Sequence, residues 1–392
     1  MKKLRRTQNT ECRTKTRNPL TNYRPTWVEI DLNAIKYNFF QLKKLLKKNT
    51  AMLIVVKANA YGHGILEVSK ALVKAGVDYL GVATTDEAIL LRENNFNIPI
   101  LTLGGILKPE ISAVIKNNIT QTVHDIELAR NINISAARLN KKAKVHIKID
   151  VGMGRIGVWH ENAIEFMKKV ACLKNIEIEG IFSHFPSADE DRELTISQIE
   201  RFRSILQDLK SIGIKVKYRH IANSTAVTSY KDSHMDLVRP GLMVYGLYPK
   251  RYGYSKKIDL RPALSLKSRI VFIKDVPSGR RISYGGTYTT NRQTKIATIP
   301  IGYGDGFSRS LSNKGYVLIK GKRSPILGRI CMDQIMVDIG HIDRIEQGEE
   351  VVLIGEQKRD RIRVEDIAHL CGTIPYEVVC WLDNRIQRIY KK

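Results

Sequence analysis

The apolar run Ala51-Met52-Leu53-Ile54-Val55-Val56 leads directly into Lys57-Ala58-Asn59-Ala60-Tyr61-Gly62-His63-Gly64. An ammonium drawn against a buried strand is desolvated, so its proton affinity falls. The free amine is then a nucleophile able to form a Schiff base with a carbonyl compound. A lysine at a strand end more often just reaches water along its stem, and the residues around it decide between the two readings. Asn223-Ser224 and Arg239-Pro240-Gly241-Leu242 offer an amide, a hydroxyl and adjacent backbone N–H groups, donors that can share a phosphate dianion. Pro-Gly alone marks only a turn. Together with Ser224 and Lys57 it reads as part of a site for a phosphate-bearing ligand.

Apolar runs of strand length position these residues. They are Met52–Val56, Tyr79–Val82, Ile98–Leu103, Thr120–Val123, Val145–Ile149, Ile178–Phe182, Tyr218–Ile221 and Leu237–Val238. Amphipathic stretches separate them, as in Ile35 to Leu46, where residues 35, 39, 42 and 46 are apolar at helical spacing. Eight strands alternating with helices predict an α/β fold, a (β/α)8 TIM-like barrel. No Gly-x-Gly-x-x-Gly follows the first strand, which disfavours a doubly wound sheet. In such a barrel, functional groups gather at the C-terminal ends of the strands. Lys57 follows the first strand; Lys148 and Asp150 end the fifth, with Arg155 in the loop beyond. His184 ends the sixth, His220 and Asn223 the seventh, and Arg239 the eighth.

The pattern changes near residue 260. Ile270–Ile273, Ile296–Ile301, Val317–Ile319, Ile335–Val337 and Val351–Ile354 read as strands between turn signals such as Val276-Pro277-Ser278-Gly279. They predict a C-terminal mostly-β domain. The expected division is a basic extension without fixed structure over residues 1–25, a barrel over 26–258 and a β-rich domain over 259–392.

The run from Val55 to Gly64 resembles the pyridoxal 5'-phosphate (PLP) attachment motif of alanine racemases, and further matches carry the resemblance across residues 27 to 390. The resemblance implies PLP as cofactor, joined to Lys57. Its phosphate would be held by Tyr61, Asn223, Ser224, Gly241, Leu242 and Tyr376, the last in Thr373-Ile374-Pro375-Tyr376. Arg239 would face the pyridine nitrogen. A guanidinium keeps its proton, so that nitrogen would stay unprotonated and the ring would be a weaker electron sink. The bland alternative is a core arginine paired with His220. Racemisation needs a proton-transfer group on each face of the α-carbon. Lys57 would serve one face. Tyr284, in Ile282-Ser283-Tyr284-Gly285-Gly286-Thr287-Tyr288, would serve the other, arriving from the partner subunit of a head-to-tail homodimer. A phenol ordinarily titrates near about 10, so His184 and Arg239 are expected as its helpers.

The same resemblance assigns the substrate carboxylate to Arg155, in Val151-Gly152-Met153-Gly154-Arg155, and to the backbone N–H of Met332; Arg155 would also approach the PLP phenolic oxygen, and His184 would join the cofactor-binding residues. A carbamylated Lys148 would steady Arg155, and Asp189, Arg309 and Ile374 would line a narrow entrance corridor. The opening strand Trp27–Leu32 would join the C-terminal domain. One departure from the family pattern is Phe185-Pro186-Ser187 after His184. The implied activity is interconversion of L-alanine and D-alanine, supplying D-alanine for peptidoglycan. The alternatives are a broader-specificity or serine racemase of the same fold and, from another class, a non-catalytic PLP-carrier protein.

The bulk properties fit a globular enzyme: 43% hydrophobic and 27% charged residues in a chain of 392. No stretch approaches the ~20 apolar residues of a membrane span. Five cysteines without metal-ligand spacing suggest reduced thiols, no metal and a cytoplasmic location. The net charge of +26 is high. Eight lysines and arginines stand against Glu11 in the first 25 residues, while pairs such as Lys43-Lys44 and Lys47-Lys48 spread charge over helix faces. That scatter favours a solvated basic surface over a nucleic-acid stripe.

Overall fold

The computed structural model describes residues 23–249 and 258–392. Eight parallel strands form the barrel: Ala51–Val55, Tyr79–Val82, Ile100–Thr102, Thr120–Val123, Ala143–Asp150, Ile176–Phe182, Tyr218–His220 and Leu237–Val238. The last returns to pair with the first, Leu237 opposite Ala51. Asp236 N–H bonds Arg219 O at 3.2 Å and Arg239 N–H bonds Ala222 O at 2.9 Å, which joins the seventh strand to the eighth. Tyr79–Val82 and Thr120–Val123 are buried at every position, as strands packed on both faces must be.

Local chemistry adjusts several boundaries. The helix expected from residue 35 begins at Leu32, because the Asp31 carboxylate accepts the N–H groups of Asn33 and Ala34 and caps its start. The strand expected over Ile98–Leu103 shrinks to Ile100–Thr102, since Pro99 has no N–H to give a ladder.

The C-terminal domain is mostly β. Its main sheet runs in the order Lys322–Pro325, Tyr316–Ile319, Glu350–Gln357, Leu264–Arg269, Thr26–Asp31, Gln387–Lys391. Thr26–Asp31 thus lies in this sheet, antiparallel to Leu264–Arg269 and parallel to Gln387–Lys391. A second sheet holds Phe272–Val276, Thr294–Ile299 and Ile335–Asp338. The single strand expected over Ile270–Ile273 is instead a crossing between sheets: Ile270 N–H bonds Glu349 O, and Val271 N–H bonds Thr298 O, each at 3.0 Å. Two short helices, Val364–Cys371 and Pro375–Cys380, complete the domain.

Most of the basic extension, residues 1–22, lies outside the described residues, as do residues 250–257 beside the expected domain boundary. Arg24, grouped with that extension by sequence, is fixed: its guanidinium pairs with Asp305, whose carboxylate is fully buried and also accepts from Arg385 Nε at 2.7 Å.

Candidate active site

Lys57 opens a turn that the sequence does not announce. Ala58, Asn59, Ala60 and Tyr61 all have φ between 52° and 53°, a left-handed conformation that costs side-chain-bearing residues roughly 1–2 kcal/mol each. Surrounding groups hold it. The Glu87 carboxylate accepts N–H groups from Ala58 at 2.6 Å and Ala83 at 2.8 Å, and Asn59 Oδ1 accepts from Ile65 N–H at 2.8 Å. Arg388 Nε donates to Gly62 O at 2.8 Å. A Cβ on Gly62 would fall 2.2 Å from Val379 O, and one on Gly64 would fall 1.8 Å from Tyr390 Oη. The motif's glycines are therefore demanded by the C-terminal strand and helix packed on them. Burial pushes the Lys57 amine below its ordinary pKa, Arg155 pushes the same way, and Glu87 opposes both.

The expected phosphate-binding residues gather beside this turn. Ser224 Oγ accepts Gly241 N–H at 2.8 Å. Asn223 Oδ1 accepts Ala226 N–H at 3.0 Å and caps the short helix Ser224–Ser229, while Leu242 opens the 3-10 turn Leu242–Tyr245. The Tyr61 ring lies 6.0 Å from Tyr376 and 5.0 Å from Tyr245. A Cβ on Gly241 would sit 2.6 Å from Tyr61 Oη, so only glycine leaves the cradle open. Tyr245, which bonds Val55 O at 2.9 Å, is a buttress that sequence reasoning missed.

Arg239 is buried, with Phe182 5.2 Å from its guanidinium. Its Nη1 donates to His220 Nδ1 at 2.8 Å; its Nη2 reaches Ser183 O at 2.7 Å, Ile221 O at 3.2 Å and His184 Nδ1 at 3.3 Å. The Arg239–His220 pair of the bland reading therefore exists. It also leaves Nε as the one Arg239 nitrogen without a hydrogen bond to the described residues, available to a ring nitrogen. Burial lowers the guanidinium pKa to about 9, so it stays protonated at neutral pH.

A chain of groups continues behind it, none of which the sequence analysis assigned beyond His220. His220 Nε2 meets His146 Nδ1 at 2.8 Å, and His146 Nε2 faces Glu179 at 3.4 Å. Glu179 accepts from Tyr79 Oη at 2.9 Å. Arginine can only donate and a carboxylate can only accept, so the tautomers are dictated: His220 and His146 each carry the proton on Nε2. Burial and the Arg239 charge keep His220 neutral, with a pKa well below the usual value.

Lys148 is 3% exposed, and its Nζ has no hydrogen-bond partner among the described residues. Burial and Arg239 hold its pKa well below the ordinary one. It does not point to solvent; the ring of Phe182 lies 4.8 Å away. Asp150 proves to be a scaffold. Its carboxylate accepts N–H groups from Gly152, Met153, Gly154 and Arg155 at 2.7–3.3 Å, and so shapes the loop that carries Arg155.

Of the residues expected from the C-terminal domain, Tyr376 joins the cradle, whereas Tyr284, Met332, Ile374 and Arg309 are exposed. Tyr284 is 68% exposed, Met332 54% and Ile374 54%. Arg309 is exposed in the turn Arg309–Leu311. No hydrogen bond joins Tyr284 to Lys57, His184 or Arg239 within the described chain. Burial and the Arg239 charge hold the His184 pKa well below the usual histidine value, so the help it can offer a phenol is a hydrogen bond rather than a positive charge. Asp189, in the barrel loop after the sixth strand, makes no hydrogen bond or ion pair with Arg309 among the described residues.

Comparison with known proteins decides the family. Residues 30–249 match the alanine racemase N-terminal domain family, and residues 263–390 match the alanine racemase C-terminal domain family. The chain belongs to the alanine racemase family. It is 48% identical over 369 residues to an alanine racemase of Halothermothrix orenii, covering 94% of this chain and 97% of that one. It is 44% identical to one from Methanococcus maripaludis, with 93% and 98% covered. Among solved structures, alanine racemase from Clostridium difficile superposes with a TM-score of 0.89 at 43% identity, with 94% and 96% covered. The Bacillus anthracis alanine racemase with bound L-Ala-P gives 0.89 at 36%, with 96% of each chain covered. Alanine racemases are PLP-dependent. The residues here fit that group: a partly buried amine, a glycine-lined cradle and an arginine whose Nε has no hydrogen bond to the described residues.

Proposed function

We propose that this protein interconverts L-alanine and D-alanine with PLP bound at the barrel mouth. The observation that carries the reading is the convergence of Lys57, the Tyr61–Ser224–Gly241 cradle and Arg239 at one end of the barrel. Tyr61, Asn223, Ser224, Gly241, Leu242 and Tyr376 would receive the cofactor phosphate, with His184 alongside. When bound, PLP supplies an electron-withdrawing ring that makes the α-proton of an amino acid removable. Lys57 Nζ takes or returns that proton on one face and Tyr284 Oη on the other. Arg239, fixed by His220 and two carbonyls, presents Nε–H without yielding its proton.

Arg155 and the Met332 amide would orient the substrate carboxylate. Lys148, buried and without a partner, is suited to carbamylation, which requires a neutral amine and would give Arg155 an anionic neighbour. The corridor formed with Asp189, Arg309 and Ile374 would select small side chains. The exposure of Tyr284 and Met332 favours a homodimer in which these two residues reach the partner's barrel, while Ile374 stays beside Tyr376 at its own cradle. The D-alanine formed would supply peptidoglycan in the cytoplasm. No described helix is long and apolar enough to cross a membrane.

Borohydride reduction of the PLP-loaded protein should leave a pyridoxyl group on Lys57. A coupled assay should detect D-alanine formed from L-alanine. Production no greater than that of Lys57→Ala would overturn the proposal.

A further inference from the structure

The residue before Tyr284 carries an unusual backbone. Ser283 has φ 62° and ψ −175°, a region that only glycine enters freely. Its hydroxyl donates to Arg329 O at 2.5 Å and lies 3.5 Å from Cys331 Sγ. The segment it grips is pressed against it: a Cβ on Gly328 would sit 2.6 Å from Ile282 O and 2.8 Å from Ser283 Cβ. Asn313 ties the two pieces together. Its Oδ1 accepts Gly328 N–H at 2.6 Å, and its Nδ2 donates to Thr287 Oγ1 at 3.1 Å. The gripped segment runs on directly into Met332. The Tyr284 phenol, by contrast, has no hydrogen bond among the described residues, so its direction comes from the backbone that presents it.

We propose that Ser283 is a positioning residue: its hydroxyl, anchored on the Arg329 carbonyl, pins a backbone conformation that aims the Tyr284 phenol. The inference rests on the reading of Tyr284 as one of the two proton-transfer groups. A side-chain-bearing residue in this region relaxes once its anchor is removed, whereas glycine can still visit the same conformation. The two ways of removing the hydroxyl therefore differ in consequence.

Three variants, purified as holoenzyme, test it: Ser283→Ala, Ser283→Gly and Tyr284→Phe. Expected is a fall in kcat on the order of tenfold or more for Ser283→Ala and only about a few-fold for Ser283→Gly, since small misplacement of a reacting group is costly. The α-deuterium isotope effect should grow in one direction of racemisation only in Ser283→Ala, as in Tyr284→Phe. A residue that merely stabilised the fold would leave isotope effects unchanged. Equal losses in the alanine and glycine variants would overturn the proposal, as would kcat values within about twofold of wild type. Full activity in Tyr284→Phe would instead remove the underlying reading of Tyr284, and this inference with it.

Discussion

Lys57 stands between two charges of opposite effect. Burial, the largest influence, acts with Arg155 against an ammonium there, and together they outweigh Glu87, which favours it, so the pKa is depressed. Capture of PLP needs the free amine, so its rate should rise with pH through the folded-state pKa, below the ordinary lysine value, and level off above it. Arg155→Met removes a cation and should move that midpoint up. Glu87→Gln removes an anion and should move it down. Rates of PLP incorporation followed by absorbance from neutral to alkaline pH would check this, and midpoints moving in the same direction would refute the electrostatic account. Residue types made Lys57, Arg155 and Arg239 visible in the sequence. Glu87 was not visible, because its role comes from two backbone amides, one of them 29 residues away at Ala58.

At the scale of elements, the left-handed turn after Lys57 is held largely by the far end of the chain. Gly76 and Gly64 separate backbone strain from collision. Gly76 has φ 82° and open space around its Cβ position, so Gly76→Ala should cost about 1 kcal/mol through backbone conformation alone. Gly64 has φ 99° and Tyr390 Oη at 1.8 Å from that position. Gly64→Ala should therefore destabilise by more than Gly76→Ala, because the Tyr390 side chain on the C-terminal strand must also move. It should also weaken PLP retention. Denaturant unfolding of the two variants measures the difference, and equal losses would show that the strand does not brace the turn. Hydrophobic period made the eight barrel strands legible. It could not reveal this turn, since its residues are not glycine and one of its braces, Arg388, lies 326 residues from Gly62. Nor could it show the sheet crossing at Ile270–Val271, where one apolar run serves two sheets.

Taken whole, the molecule buries one half of its proposed chemistry and exposes the other. Arg239 is 4% exposed at the barrel end, while Tyr284 is 68% exposed on the β domain. The motif around Tyr284 was readable from sequence. Its exposure, with no hydrogen bond to Lys57, His184 or Arg239 among the described residues, was not, because that depends on domain placement. The proposed head-to-tail homodimer would bring the two halves together, each barrel receiving the Tyr284 of its partner. Complementation tests this directly. Lys57→Ala and Tyr284→Phe should each be nearly inactive alone. Co-expressed with different tags and purified as the mixed dimer, they should regain about half of wild-type activity, because one site then carries both defects and the other carries neither. Were Tyr284 to act within its own subunit, each site of the mixed dimer would keep one defect. The mixture would then stay as inactive as its parents, and the composite-site arrangement would be excluded.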